Sequence, residues 1–286
     1  MIEQHPYPLV VLSIDITHSP RYGDLSNPEV IQFWIRLMGE GWVACVIAGP
    51  PCETWSAARH NQDIEAANRA RPVRSIDEPW GLAHVTGRER AQLDAGNCLL
   101  RATIEFLIAA WKLGVPAVME HPAIAEHRPN VPSSWRLPIL AKIASRDGAI
   151  LHRVDQCMFG QSAMKPTGLL AVRLPAMRRI LGELPHRGRC THRAHPMVLE
   201  GQTASGEWVT ARAKTYPPEF CRFLAECVFE QVTGSATSAG PPPSEIPEEV
   251  APYFVPLDPY FDFQRGSDFA LRTPVSPPTV DGVRGT

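Results

Sequence analysis

Gly49-Pro50-Pro51-Cys52 closes an apolar run from Trp42 to Ala48 and is followed by Glu53 and Ser56. Two prolines fix φ and stiffen the turn, so a thiol placed there is held at a set angle toward whatever the turn faces. A thiolate, not a thiol, attacks carbon, and a partly exposed turn near positive charge favours the thiolate. Cys52 is therefore a nucleophile candidate, with a structural thiol as the alternative. Cys45, inside the apolar run, reads as core. Two acids stand in comparable places, Asp15 at the end of LVVLSI and Glu120 after Val115–Met119. Such acids bind ligands, cap helices or form turns. Cys190, His192 and His195 (CTHRAH) have the chemistry of zinc ligands, with Cys157 or His186 as a fourth. The spacing fits no standard zinc module. The expectation is a loop of satisfied polar side chains, and no metal is assigned.

These positions need elements to hold them. Leu9–Ile16 (LVVLSIDI) reads as a buried strand, Trp42–Ala48 as a second and Val115–Met119 as a third ending at Glu120. Ala149–Val154 and Leu169–Val172 add two more. Pro28–Met38 has helical spacing, with Val30, Ile31, Trp34 and Leu37 on one side and Asn27 as the cap. Glu89–Leu113 is a long helix stopped by Gly114, and Pro217–Val232 is a closing helix. Alternating strands and helices predict an α/β fold with a mostly parallel sheet. Open sheets of that kind bind ligands at the carboxyl ends of their strands, where Asp15, Gly49–Cys52 and Glu120 all fall.

Composition narrows the class. Hydrophobic residues make up 44% and charged residues 20% of the 286, as in an ordinary folded domain. The apolar runs are shorter than the roughly 20 residues of a membrane span, and no signal peptide is evident. No membrane partner and an intracellular location, nucleus or cytoplasm, are the expectations. The seven cysteines form no C-x-x-C pair and read as reduced thiols. A net charge of −2 argues against nucleic-acid binding by bulk electrostatics. Residues 234–286 hold seven acids and three arginines, so the body, residues 1–233, is slightly basic. That tail is rich in Pro, Ser and Gly and is expected to be disordered. Its PYFVPLDPYFDF stretch reads as a docking motif or as a tail that packs back.

Gly49-Pro50-Pro51-Cys52 with Ser56 resembles the Pro-Cys loop of the DNA (cytosine-5) methyltransferases, G-P-P-C-Q-x-x-S, with Glu53 departing from the usual Gln. Met119-Glu120-His121-Pro122 resembles that family's Glu-Asn-Val motif at the glutamate alone. Ala213-Lys214-Thr215-Tyr216-Pro217-Pro218 resembles its last motif. Gln156–Thr167 (QCMFGQSAMKPT) sits where the family has a Gln-x-Arg-x-Arg strand, and only the position matches. A closer resemblance is to compact methylase-like domains of phage-like and mobile-element-like proteins. Their pattern of GPPC-x-x-x-S, Glu-His-Pro, F-G-x-x-x-x-K-P-T, C-x-H and Y-P-P occurs here in order.

The resemblance implies a Rossmann-like fold, S-adenosylmethionine as methyl donor and DNA as substrate. It implies that Cys52 adds to C6 of a cytosine turned out of the duplex while Glu120 contacts N3, with Lys165 as the replacement cation. It puts Asp15 near the cofactor's ribose, Asp24 near its adenine, and Pro50 and Pro51 along the cofactor. The Arg59–Arg90 segment, holding Arg59, Arg69, Arg71, Arg74, Arg88 and Arg90, would close over DNA; a solvated loop is the alternative. The family's first strand and F-x-G-x-G loop have no counterpart in MIEQHPYP. An incomplete cofactor seat and an uncovered sheet edge prone to self-association are the expectations. A non-catalytic methylase-like module, binding nucleic acid or a partner protein of a mobile element, is the other reading.

Overall fold

A computed structural model describes residues 11–61, 70–199, 201–203 and 205–235. The chain divides into two compact units, one spanning Leu25–Ser244 and one combining Met1–Asp24 with Glu245–Thr286. The tail after residue 235, Arg69 and the start of the expected first strand lie outside the described residues.

In the smaller unit, the described part of the expected Leu9–Ile16 strand is irregular chain, with Val11 70% and Ile16 51% exposed. Asp15 turns the backbone here. Its Oδ1 accepts from the N–H and the hydroxyl of Thr17 at 2.8 and 2.7 Å, and its carbonyl accepts from the N–H groups of His18 and Ser19. An acid that gathers four local donors favours a turn over an extended run. A single helical turn, α1 (Pro20–Gly23), follows, capped by Ser19.

The larger unit begins with α2 (Pro28–Gly39), where Asn27 Oδ1 accepts from the Glu29 N–H at 2.9 Å. Proline at the first position forfeits only an N–H that would be unpaired anyway. Val30, Ile31, Trp34 and Leu37 are its buried face, as the spacing predicts. α3 (Gly87–Leu113) ends at Gly114, whose φ of 75° is the left-handed conformation a helix stop favours. α4 (Pro138–Ala144) and α5 (Pro175–Glu183) are short, proline-led helices that sequence spacing did not reveal. α6 (Pro218–Ser235) closes the unit.

Four strands form one sheet: β1 (Val46–Ala48), β2 (Ala117–Pro122), β3 (Ala149–Asp155) and β4 (Pro166–Val172), in the order β1-β2-β4-β3. The expected mostly parallel sheet is corrected. β1 and β2 are parallel, but β4 is antiparallel to both β2 and β3. The cause lies in the link between β3 and β4. A parallel crossover needs a dozen or more residues, usually helical. Here a 3₁₀ turn at Gln156–Phe159 and Gly160 at φ 93° send the chain straight back. The reversal delivers Lys165, just before β4, to the end of the sheet where β2 places Glu120.

One face of the sheet packs Val118, Val154, Leu169 and Ala171 against Met177, Phe220, Phe223 and Leu224 of α5 and α6. Gly168 of β4 lies opposite His121 in register, and a Cβ there would come within 2.6 Å of Trp135 Nε1. The indole cannot retreat easily, because it is buried and donates to the Pro122 carbonyl at 2.7 Å. Gly168→Ala is expected to lower stability by about 1–3 kcal/mol, the usual cost of overpacking. A urea midpoint that does not fall would refute the close approach. Among the described residues no helix is long and apolar enough to cross a membrane.

Candidate active site

β1 and β2 run side by side, so the turn after β1 and the last residues of β2 emerge at the same end of the sheet. Gly49–Cys52 forms that turn, and Cys52 precedes a 3₁₀ turn at Glu53–Trp55, its carbonyl accepting from the Trp55 N–H at 2.9 Å. Gly49 is a matter of space. A Cβ there would lie 2.7 Å from the Tyr216 hydroxyl oxygen and 3.9 Å from Glu120 Oε2.

Glu120 is 5% exposed and sits at the centre of a polar network. Tyr216 donates to its Oε2 at 2.9 Å, Gln156 Nε2 approaches Oε1 at 3.4 Å, and Lys165 Nζ is 3.9 Å from Oε1. Gln156 is anchored in turn by Thr167, and Lys165 donates to the Ala213 carbonyl at 3.0 Å while lying 5.1 Å from the Tyr216 ring centroid. Burial raises the Glu120 carboxyl above the usual range, against the pull of Lys165 and the Tyr216 hydrogen bond. Burial and then the Glu120 charge hold Tyr216 well above the ordinary phenol range, so it remains a donor. Tyr216 and Gln156 belong to segments that the sequence had flagged only as motifs. An acid at the end of β2 meeting a tyrosine 96 residues further along the chain is a contact that no local spacing reveals.

Cys52 belongs to the same cluster, within electrostatic reach of Glu120, Glu53 and Lys165. Its setting differs from the expected exposed, positive one. Burial above all, then the charges of Glu120 and Glu53, push the thiol up to about 11, against the pull of Lys165 and of a backbone hydrogen bond. The resting group is the thiol. Glu53, where the resembled family has Gln, is matched by an ion pair of 2.7 Å to Lys214. That pair ties the Tyr216 segment to the Cys52 turn.

Two of the arginines expected in a DNA-facing loop are internal. Arg74 is the largest fully buried side chain among the described residues. It donates to Thr54 Oγ1, the Pro79 carbonyl and Asn97 Oδ1, and stacks 4.0 Å from the centroid of a Trp55 ring. Burial lowers it to about 9, with Arg59 adding to the shift. Arg59 donates to the carbonyls of Glu53 and Arg71 and to Gln92. Both brace the turn that carries Cys52. Arg71, Arg88 and Arg90 remain exposed, Arg90 paired with Asp94.

His121 follows Glu120 but turns inward. It is 1% exposed, its Nδ1 is 2.7 Å from Ser134 Oγ, and its ring packs edge-on to Trp55 and Trp135. Of the residues expected at a cofactor, Pro50 is buried and Pro51 half-buried beside Cys52. Asp15 is exposed and committed at Oδ1 to Thr17, and burial does not govern it: the Thr17 N–H and hydroxyl hold its carboxyl below the usual range. Asp24 follows α1 in the same smaller unit. All seven cysteines are free thiols.

Comparison with family models, with curated proteins and with solved structures finds no match to this chain.

Proposed function

We propose that this chain is a DNA cytosine-5 methyltransferase-like protein in which Cys52 is the nucleophile and Glu120 the group that meets the base. One observation carries the reading: Cys52 and Glu120 reach the same cluster from the ends of adjacent parallel strands, with Tyr216 and Lys165 fixing the carboxyl. C5 of cytosine is too weak a nucleophile to take a methyl group until C6 is attacked. Addition of the Cys52 sulfur to C6 pushes electron density toward N3, and a carboxyl that burial makes more basic is suited to carry a proton there. Once Glu120 is ionised, Lys165 and the Tyr216 hydroxyl stabilise it.

S-adenosylmethionine, the methyl donor this reading implies, would supply an electrophilic methyl group. The described residues make only part of a seat for it. Pro50 and Pro51 wall the turn, whereas Asp15 spends Oδ1 on Thr17 and belongs with Asp24 to the other unit. The chemistry derived above is accordingly that of the chain's own side chains. DNA as partner rests on the resemblance and on the exposed Arg71 and Arg88. Self-association rests on β1, which pairs with β2 alone among the described strands and leaves Ile47 52% exposed.

A second reading, a non-catalytic methylase-like module, is favoured by the Cys52 thiol pushed up to about 11. An oligonucleotide carrying 5-fluorocytosine, mixed with the chain and S-adenosylmethionine, separates the two. The first reading expects a covalent adduct that Cys52→Ser abolishes. No adduct from the unaltered chain, with S-adenosylmethionine shown bound by calorimetry, favours the module.

A further inference from the structure

Cys157, Cys190, His192 and His195 bring one ligand atom each into a group whose atoms all lie within 4.8 Å of one another. Cys190 Sγ is 3.5 Å from His192 Nδ1 and 3.3 Å from His195 Nε2. Tetrahedral zinc has bonds of about 2.3 Å to sulfur and about 2.0–2.1 Å to nitrogen, which puts neighbouring ligand atoms roughly 3.3–3.8 Å apart. The two contacts fall in that interval. The His192 and His195 rings are 5.3 Å apart at an interplanar angle of 70°, so each presents a nitrogen to the same point without stacking on the other. We propose that these four residues bind one structural zinc ion, a closed Cys₂His₂ site that clips residues 188–197 to the end of β3.

The backbone is arranged for it. Cys157 lies in the 3₁₀ turn directly after β3 and is buried, a fixed point supplied by the sheet. The other three ligands arrive on a segment held at both ends. At its start Gly188 is buried, and a Cβ there would come within 3.2 Å of Val154 Cγ1, so this backbone rests directly on β3. Buried Asp155 accepts the Cys190 N–H at 2.8 Å through Oδ2, which orients the ligand loop from behind as an outer-shell carboxylate does. At its end Met197 bridges to Ala163. His186, Arg187 and Gly188 all take positive φ, a conformation that L side chains adopt at a cost. A metal staple offsets that cost.

The sequence offered these ligands, with Cys157 or His186 as the fourth, but assigned no metal, because Cys157 is distant from C-T-H-R-A-H and the interval between them matches no zinc module. The β3–β4 reversal and the turn at Gly188 close the gap. His186, the alternative fourth ligand, is not among the converging groups. The four protein ligands fill a tetrahedron, so the ion is structural and opens no position to a substrate. This site stands apart from the proposed activity, although Gln156, next to Cys157, reaches Glu120.

The test is metal binding by the full chain, prepared under reducing conditions. Zinc should be retained at one ion per chain through gel filtration. Cobalt(II) loaded in its place should give the intense visible bands of tetrahedral coordination and a thiolate charge-transfer band. Cys190→Ser should abolish stoichiometric binding, and His186→Ala should leave it unchanged. His192→Ala, at an exposed side chain that no core depends on, should fold, change the cobalt spectrum and weaken binding by at least about tenfold. Absence of bound zinc together with a featureless cobalt titration overturns the proposal. So does a Cys157–Cys190 disulfide in the reduced preparation, or zinc binding that survives Cys190→Ser.

Discussion

Glu120→Gln is expected to move two reactions of Cys52 in opposite directions. Addition to a cytosine should slow by at least about tenfold, the scale of losing one positioned acid–base group. Alkylation of the same thiol by iodoacetamide should quicken. Burial is the main reason the Cys52 thiol stands at about 11, and the Glu120 charge is the next. Against an ordinary thiol near 8.5, only about one chain in a thousand carries the thiolate at pH 8. Each unit by which the thiol falls raises that fraction about tenfold. Glutamine removes a charge and leaves the desolvation, so a gain of roughly three- to tenfold at pH 8 is expected. Lys165→Met should do the reverse, since the Lys165 charge lowers the thiol. Alkylation of Cys52 followed by mass spectrometry across pH 7–10 reads all three proteins. A rate that Glu120→Gln leaves unchanged would place Glu120 outside the site, whatever happens to catalysis.

The same cluster marks where sequence reasoning reaches and where it stops. Cys52 and Glu120 were legible because each follows an apolar run, and strand ends meet at one edge of a sheet. Gln156 and Tyr216 were not, since what they do depends on the direction of β4 and on the start of α6 folding back over the turn. The direction of β4 was missed because the run Leu169–Val172 looks alike in either orientation. Only the shortness of the Gln156–Lys165 link argues for reversal. Arg59 and Arg74 misled for a related reason. A charged residue in a polar stretch reads as solvated, yet Arg74 is buried against a carbonyl and neutral side chains, and Arg59 against two carbonyls and Gln92, with Glu89 at 3.9 Å. The LVVLSI run misled the other way. Apolar residues suit a strand, but from Val11 on the chain is irregular, and Asp15 and Thr17 close a turn.

Acidification is expected to unfold the chain through His121 in particular. Its imidazole is fully buried between Trp55 and Trp135, and burial, reinforced by the charge of Arg74, lowers it to about 3 against the opposing carbonyl of Pro51. In the unfolded chain it titrates near 6.5. Between those two values the unfolded state holds the extra proton, so stability rises with pH there and is lost as pH falls below about 6.5. One proton amounts to about 1.4 kcal/mol per pH unit, so going from pH 6 to pH 4 costs roughly 2–3 kcal/mol from this group. That is a large share of a domain's usual 5–15 kcal/mol. His152, also lowered by burial and then by Arg178, adds to the loss. Glu120 opposes it, because burial raises its carboxyl and its folded form gains the proton first. The double change His121→Phe with Ser134→Ala isolates the histidine. It keeps an aromatic ring between the two tryptophans and removes both members of the 2.7 Å Nδ1–Oγ contact together. Urea midpoints of the two proteins should converge as pH falls from 7 to 4, the unaltered chain losing more. Parallel curves would mean that His121 takes up its proton while folded, and the buried neutral imidazole between the tryptophans would have to be abandoned.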